Sequence, residues 1–168
     1  MKRIAAIAVL AVLIISAAWQ ALWPKGPEVG LDQGNKAPEF SLPLINGNEA
    51  HLADYKGKKV IVNFWATWCP PCKEEIPELK EISAKHSDDL VVLAINYTGS
   101  EASEEAVRTF VDSHAMKFPV LMDVNSEVLS QYEVFSYPTT YFLDEEGIIQ
   151  KVQRGMVDRG TLEEFADS

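Results

Sequence analysis

Cysteine and histidine are scarce in this sequence, and their scarcity excludes several classes of protein. The 168 residues include two cysteines and three histidines. A small secreted domain that depends on disulfide staples usually has four or more cysteines, so a disulfide scaffold is excluded. A structural zinc ion needs four ligands, and the two cysteines fall two short of that number. We therefore predict no metal site and no cofactor.

Basic residues are also in short supply. The chain has 15 Lys and Arg residues against 25 Asp and Glu residues, so its net charge is −10. Lys2, Arg3 and Lys25 lie in the first 25 residues, which contain no acidic residue, so the remainder carries a net charge of −13. Binding to nucleic acid or to anionic lipid needs clustered Lys and Arg. We therefore predict a solvated surface and no nucleic-acid partner.

The first residues of the chain form a long apolar run. Lys2 and Arg3 are followed by 20 residues with only two polar interruptions. This length suffices to cross the hydrocarbon core of a bilayer, and Trp19 and Trp23 suit the interface at its far end. A cleaved signal peptide is the alternative, because small residues follow at a suitable spacing. We predict a single-pass anchor over residues 1–23, with a cytoplasmic N-terminus and an extracytoplasmic domain.

The remaining chain divides into a linker and one domain. Residues 24–37 are rich in Pro and Gly and poor in apolar side chains, which predicts a flexible linker. Within the domain, residues 38–168, strand patterns alternate with helical ones and predict an α/β sheet with an antiparallel edge. The predicted elements are a β-hairpin around residues 46–48, buried strands at 60–65 and 90–97, helices after residue 72 and at 101–115, 126–132 and 161–166 (with Thr161 as N-cap), a strand at 118–122 and a hairpin at 139–152.

The two cysteines, Cys69 and Cys72, lie where a buried strand pattern passes into a helical pattern. Such a junction lies at the carboxyl edge of the sheet, where functional sites collect. Pro70 suits the first position of a helix, so Cys69 lies over unpaired backbone N–H groups and the positive end of the helix dipole, which stabilise a thiolate. We predict that Cys69 attacks the substrate and that Cys72, one turn further on, resolves the mixed disulfide.

The run from Val62 to Cys72, VNFWATWCPPC, resembles the active-site strand and helix of the thioredoxin superfamily. The preceding hairpin, the segment KEEIP after Cys72 and the helix and strand within residues 101–122 resemble the TlpA/ResA-like branch, which comprises membrane-tethered, extracytoplasmic thiol-disulfide oxidoreductases. The resemblance covers most of the chain from residue 38 onwards. It implies a thioredoxin-like fold with an N-terminal β-hairpin and a central αβ insertion, preceded by one transmembrane helix.

The same resemblance implies a substrate-binding edge. Pro138 matches the cis-proline that faces the dithiol in this superfamily, so we expect a cis bond between Tyr137 and Pro138. The backbone at Tyr137 can then pair with an extended substrate chain, as in strand addition. Trp68, beside the nucleophile, is expected to form part of the docking surface, and Thr139 completes the predicted substrate-binding set.

Glu75 is the predicted acid/base. Asn63 stands where cytoplasmic thioredoxins carry a buried aspartate, and an amide cannot exchange protons in its place. Helical spacing places Glu75 on the apolar side, where burial raises the pKa of a carboxyl group and suits it to serve Cys72. The resemblance also implies a functional glutamate at this position. The alternative is a side chain at the margin of the apolar face that reaches water.

The resemblance implies a reductase of oxidised exported proteins. Apocytochrome c is the expected substrate, and a membrane thiol carrier of the CcdA/DsbD type is the expected electron donor. The alternatives are a thiol oxidase or isomerase for other secreted or spore-envelope proteins, and a thioredoxin-like peroxidase. A peroxidase pattern places threonine three residues before the cysteine, but Ala66 stands there and Thr67 lies two residues before. The residues between the two cysteines, Pro70 and Pro71, do not decide the redox direction.

Overall fold

The computed structural model describes residues 10–19 and 26–168, of which residues 10–19 are helical and exposed. No helix within these ranges has both the length and the apolar character that a bilayer crossing requires. The predicted transmembrane anchor, residues 1–23, lies for its greater part outside the described residues.

A five-stranded mixed sheet lies at the centre of the domain. Its strands are β3 (Lys59–Trp65), β4 (Leu90–Asn96), β5 (Val120–Met122), β6 (Thr139–Leu143) and β7 (Ile149–Arg154). Their order in the sheet is β5-β4-β3-β6-β7. The two central strands β3 and β4 are parallel, whereas β6 is antiparallel to both β3 and β7. The sequences of β3 and β4 are nearly continuous apolar runs because helices and the hairpin cover both faces of the sheet. The predicted α/β sheet with an antiparallel edge is thus confirmed.

The structure contains both the N-terminal β-hairpin and the central αβ insertion that the resemblance implies. The N-terminal hairpin consists of the antiparallel strands β1 (Ser41–Pro43) and β2 (Glu49–His51). The inserted unit adds α2 (Glu104–Ser113) and then β5, which pairs in parallel with β4. The predicted hairpin and αβ insertion are therefore confirmed.

Two hydrophobic clusters lie on opposite faces of the sheet. One cluster holds the buried side chains of α1 (Pro70–Lys85), α2 and α4 (Arg159–Asp167). The other holds those of the β1–β2 hairpin and α3 (Glu127–Gln131). Alternate residues of β3 point into the two clusters, which is the period of a strand covered on both sides. Both cysteines belong to the first cluster.

Two helices begin at residues other than those predicted, because the side chain that caps each helix lies elsewhere. The last helix was expected to begin with Thr161 as N-cap, but Asp158 occupies that position and accepts a hydrogen bond from the Thr161 N–H over 2.8 Å. The insertion helix begins after Ser103, whose hydroxyl accepts from the Ala106 N–H over 3.1 Å. This helix ends at Ser113, so it is shorter at both ends than the predicted helix at 101–115.

The predicted linker comprises residues 24–37, and its C-terminal part is hydrogen-bonded to the domain. The Gly34 N–H donates to the Ile149 carbonyl over 2.8 Å, and the Ala37 N–H donates to the Gly147 carbonyl over 2.9 Å. A Pro- and Gly-rich segment is ordered when its backbone groups find partners in this way. The prediction of a flexible linker is therefore wrong for this part, which lies against the β6–β7 hairpin.

Candidate active site

A disulfide joins Cys69 to Cys72 at the junction between β3 and α1. Cys69 is the N-cap residue of α1, and its Sγ accepts a hydrogen bond from the Cys72 N–H over 3.2 Å. The sulfur thus lies at the positive end of the helix dipole, as the sequence predicted, and an N–H group at that position stabilises a thiolate. The two cysteines are 3% and 1% exposed. Both side chains lie in the first hydrophobic cluster. Cys69 precedes the helix at the edge of the sheet, and Cys72 lies within the helix.

The described residues offer no grouped metal ligands. Within residues 10–19 and 26–168, no three His, Cys, Asp or Glu side chains lie together as an ion would require. The sulfurs of Cys69 and Cys72 are bonded to each other. In this form the chemistry that the site offers is that of a disulfide.

Glu75 is buried on α1, one turn after Cys72, and is 1% exposed. Residues at this spacing have Cβ atoms about 5–6 Å apart. Its Oε1 accepts from the Asn63 Nδ2 over 2.8 Å, and its Oε2 accepts from the Val157 N–H over 3.0 Å. Burial raises the pKa of the Glu75 carboxyl to about 7, although the hydrogen bonds from Val157 and Asn63 lower it. The predicted inward orientation is confirmed, and the alternative of a side chain that reaches water is wrong.

Asn63 holds the Glu75 carboxyl in place. Its amide group lies on β3 and donates one hydrogen bond to Glu75 and another, over 3.0 Å, to the Thr140 hydroxyl. All these groups are buried, so each hydrogen bond replaces one to water that burial removed. The hydrogen bond from the Val157 N–H to Glu75 was not predicted, because a backbone donor 82 positions after Glu75 leaves no pattern in the sequence.

The bond between Tyr137 and Pro138 is cis, as predicted. The Pro138 carbonyl accepts from the Gly155 N–H over 2.8 Å, which ties this loop to the end of β7. Within residues 26–168, neither the N–H nor the carbonyl of Tyr137 has a hydrogen-bond partner. This backbone is therefore open to an extended chain, which could add to it as a strand adds to a sheet edge.

Thr139 does not face outward. Its side chain is buried, and its hydroxyl donates to the Ser136 carbonyl over 2.9 Å. Its position in β6 pairs with Phe64 of β3 and Arg154 of β7. The predicted contribution of the Thr139 side chain to substrate binding is therefore not supported, because the residue fixes the loop that carries Pro138.

Aromatic rings connect the loops on either side of the disulfide. Trp68 is half exposed, and its ring meets Tyr137 edge-on at 5.7 Å between centroids. Tyr137 stacks in turn on Tyr97 at 5.6 Å, and burial raises the pKa of Tyr137 to about 12. The Trp68 Nε1 donates to the Ser100 hydroxyl over 3.0 Å. The structure thus brings together the predicted Trp68 and Tyr137 and adds Tyr97 and Ser100, which follow the end of β4.

Three exposed apolar side chains, Trp68, Phe135 and Met156, form what we call the apolar rim. Their exposed fractions are 50%, 88% and 47%. Phe135 precedes the cis-proline by three residues, and Met156 lies between Gly155 and Val157, which bond to Pro138 and Glu75. Each member therefore lies in a loop next to a residue of the site. Exposed apolar side chains in loops that carry residues of a site favour an interaction surface there.

Comparison with known proteins agrees with this geometry. A family model described as the AhpC/TSA family matches residues 33–152. The thioredoxin-like protein YneN of Bacillus subtilis is 44% identical over 140 residues, or 83% of this chain and 82% of that protein. The thiol-disulfide oxidoreductase ResA of Bacillus cereus is 32% identical over 163 residues, or 94% of this chain and 91% of that protein.

The solved structures include the exposed lipoprotein thioredoxin Etrx1 of Streptococcus pneumoniae. It is 34% identical, and the superposition has a TM-score of 0.69 and covers 77% of this chain and 98% of that chain. This likeness confirms the predicted thioredoxin-like fold.

Proposed function

Because this chain belongs to the AhpC/TSA family and is a thiol-disulfide oxidoreductase of the ResA type, we propose that it reduces disulfides in exported proteins from the outer face of a membrane. The observation that carries the proposal is the Cys69–Cys72 disulfide at the start of α1, with the buried Glu75 carboxyl one turn away. These three residues are the proposed catalytic set.

The reaction is a two-step exchange that starts from the reduced dithiol. The Cys69 thiolate attacks one sulfur of a substrate disulfide, forms a mixed disulfide and releases the other substrate sulfur as a thiolate. The Cys72 thiolate then attacks the Cys69 sulfur, which closes the Cys69–Cys72 disulfide and releases the second substrate thiolate. Two electrons pass from the enzyme to the substrate. A reduced dithiol on a partner must then return the enzyme to its starting state by the reverse exchange.

Glu75 supplies the proton transfer for the second step. Cys72 is buried in the first hydrophobic cluster, where ionisation of its thiol is unfavourable without a base. The Glu75 carboxyl, with its pKa of about 7, is partly ionised at neutral pH and lies one turn away on the same helix. It therefore accepts the Cys72 proton as that thiol becomes the attacking thiolate.

The substrate is a protein and docks on the surface around the disulfide. The open backbone at Tyr137, next to Pro138, pairs with an extended segment on one side of the substrate cysteine. The apolar rim, which includes Trp68, covers apolar side chains of the same segment. The edge residues Trp68, Tyr137 and Pro138 are thus assigned to binding, while Thr139 supports them from inside.

The proposed location is the outer face of the cell membrane, with residues 1–23 as a single-pass anchor and a cytoplasmic N-terminus. The apolar run behind Lys2 and Arg3 supports this location, and Etrx1 is itself described as an exposed lipoprotein. A domain outside the cytoplasm has no access to cytoplasmic reductants, so we assign a membrane thiol carrier of the CcdA/DsbD type as its electron donor. Apocytochrome c is the first substrate to test.

The reduction potential of the Cys69–Cys72 pair tests the direction of electron flow. We expect a value below about −250 mV, since the reductant thioredoxin lies near about −270 mV, whereas a strong oxidant lies near about −120 mV. Equilibration of the full chain with glutathione or dithiothreitol buffers measures it. A value near that of the strong oxidants would contradict the reductase and support a thiol oxidase or isomerase.

A further inference from the structure

A carboxylate outside the proposed catalytic set binds the turn that precedes the nucleophile. Glu101 follows the 3-10 turn Thr98–Ser100 at the end of β4. Its Oε1 accepts from the Thr67 N–H over 2.7 Å and from the Asn96 Nδ2 over 2.9 Å. Its Oε2 accepts from the Thr67 hydroxyl. One side chain thus links the sheet to a residue 34 positions earlier in the sequence.

The sheet end of this link is rigid. Asn96 is completely buried and pairs with Trp65 in the register of β3 and β4. The Thr98 hydroxyl donates to the Asn96 Oδ1 over 3.0 Å, so the amide nitrogen of Asn96 points to Glu101. The carboxylate is therefore oriented by a buried residue of the central sheet.

The other end of the link lies in the turn that carries the nucleophile. The Cys69 N–H donates to the Ala66 carbonyl over 3.2 Å, which closes a turn that contains Thr67. Within residues 26–168, the N–H and the hydroxyl of Thr67 donate to Glu101 alone. Among the described residues, Glu101 is thus the sole hydrogen-bond acceptor for both polar donors of Thr67.

The neighbouring residue of the turn is bound by the same segment. Ser100 accepts from the Trp68 Nε1 over 3.0 Å and donates to the Tyr97 carbonyl over 2.9 Å. Gly99 allows this segment to lie against the loop at Val124, because a Cβ atom there would lie 2.7 Å from the Val124 carbonyl oxygen. The segment therefore holds Thr67 and Trp68, the two residues immediately before Cys69.

We propose that Glu101 is a positioning residue for thiol-disulfide exchange: it fixes the turn so that the Cys69 sulfur stays over the helix start when the disulfide opens. While the disulfide is closed, its covalent bond holds Cys69. In the reduced enzyme and in the mixed disulfide that constraint is gone, and the turn depends on its hydrogen bonds. Hydrogen bonds from two donors of Thr67 to one oriented side chain are strong enough for this role. The inference rests on the family activity and not on the identity of the substrate.

Glu101→Ala and Glu101→Gln in the full chain separate positioning from charge. In Glu101→Ala, we expect the rate at which the reduced enzyme reacts with glutathione disulfide to fall roughly tenfold, which matches the loss of hydrogen bonds to a charged group. The Thr67 amide should also lose its protection from hydrogen exchange. In Glu101→Gln the amide oxygen can still accept from Thr67 and Asn96, and its NH2 group can donate to the Thr67 hydroxyl. This variant should therefore keep a nearly normal rate. Glu105→Ala, an exposed position on α2, is the matched control.

Two results would overturn the inference. One is a normal rate in Glu101→Ala. The other is a slow Glu101→Gln in which the Thr67 amide stays protected, since the negative charge and not the position would then matter. If Glu101→Ala fails to fold, Thr67→Val replaces it, and a rate equal to that of the wild type would contradict the proposal. A wild-type enzyme that does not react with glutathione disulfide would instead contradict the exchange activity itself.

Discussion

The two sides of the disulfide differ in almost every physical property. On the inner side, Cys72, Glu75 and Asn63 are buried, and both carboxylate oxygens of Glu75 have hydrogen-bond partners. On the outer side, Phe135 is 88% exposed and the backbone of Tyr137 has no partner within residues 26–168. The enclosed side suits proton transfer, because burial shifts the pKa of a carboxyl group. The open side suits docking, because unpaired backbone and apolar groups gain by being covered.

The largest effect is expected from replacing each of the two cysteines in turn with serine. Cys69→Ser should reduce exchange to background, because the attacking sulfur is gone. Cys72→Ser should still attack but should then accumulate as a mixed disulfide, because no second thiolate resolves it. Non-reducing gels and mass spectrometry after incubation with an oxidised protein would show the adduct. Equal trapping by Cys69→Ser would contradict the assignment of Cys69 as the attacking and Cys72 as the resolving cysteine.

Glu75→Gln should affect the second step of exchange. The wild-type rate of resolution should rise as the pH passes through about 7, the pKa of Glu75, since the ionised carboxylate accepts the Cys72 proton. In Glu75→Gln this rise should vanish, and the rate at pH 8 should fall roughly a hundredfold, the usual contribution of a general base. Rapid-mixing measurements of the release of the second substrate thiol would test this. Glu74→Gln, exposed on the same helix, is the control, and an unchanged profile in Glu75→Gln would assign Glu75 a structural role only.

Glu75 also makes the stability of the oxidised protein depend on pH. Its pKa is about 7 in the folded protein against an ordinary value of 4.5. Between these values the folded state binds more protons than the unfolded state, so the free energy of unfolding falls as the pH rises from 5 to 8. The loss should be on the order of 3 kcal/mol. Urea denaturation at several pH values should show this loss in the wild type and not in Glu75→Gln. Equal slopes in both proteins would mean that another group is responsible.

The smallest effect is expected on the outer side. Phe135→Ser should raise the KM for an oxidised protein substrate by about threefold to tenfold, since truncating one exposed aromatic contact costs roughly 1 kcal/mol. The rate with glutathione disulfide should not change, because that substrate is too small to need the apolar rim. Val29→Ser replaces another exposed apolar residue, 68% exposed in the N-terminal segment, and should change neither rate. A loss with both substrates would show that Phe135 supports the site and not docking.

Much of the site was predictable because its signals are local. The strand pattern that ends at Trp65 and the proline after Cys69 place the nucleophile at a helix start. Helical spacing turns Glu75 inward, since it lies three positions after the buried Cys72 on the same helix. By contrast, the Pro- and Gly-rich composition of residues 24–37 predicted mobility. The backbone partners that hold the end of this segment lie in the β6–β7 hairpin, more than 100 residues away.

The sequence by itself determined the dithiol, its place at the start of a helix and the buried position of Glu75, because each depends on neighbours within one or two turns of chain. The cis bond before Pro138 was expected only from the family resemblance. Only the tertiary structure decided what holds these groups. Val157 reaches Glu75 across 82 positions, and Glu101 reaches Thr67 across 34. Hydrogen bonds of this kind join a donor and an acceptor that the packing of the sheet brings together, and neither partner bears a mark of the other in the sequence.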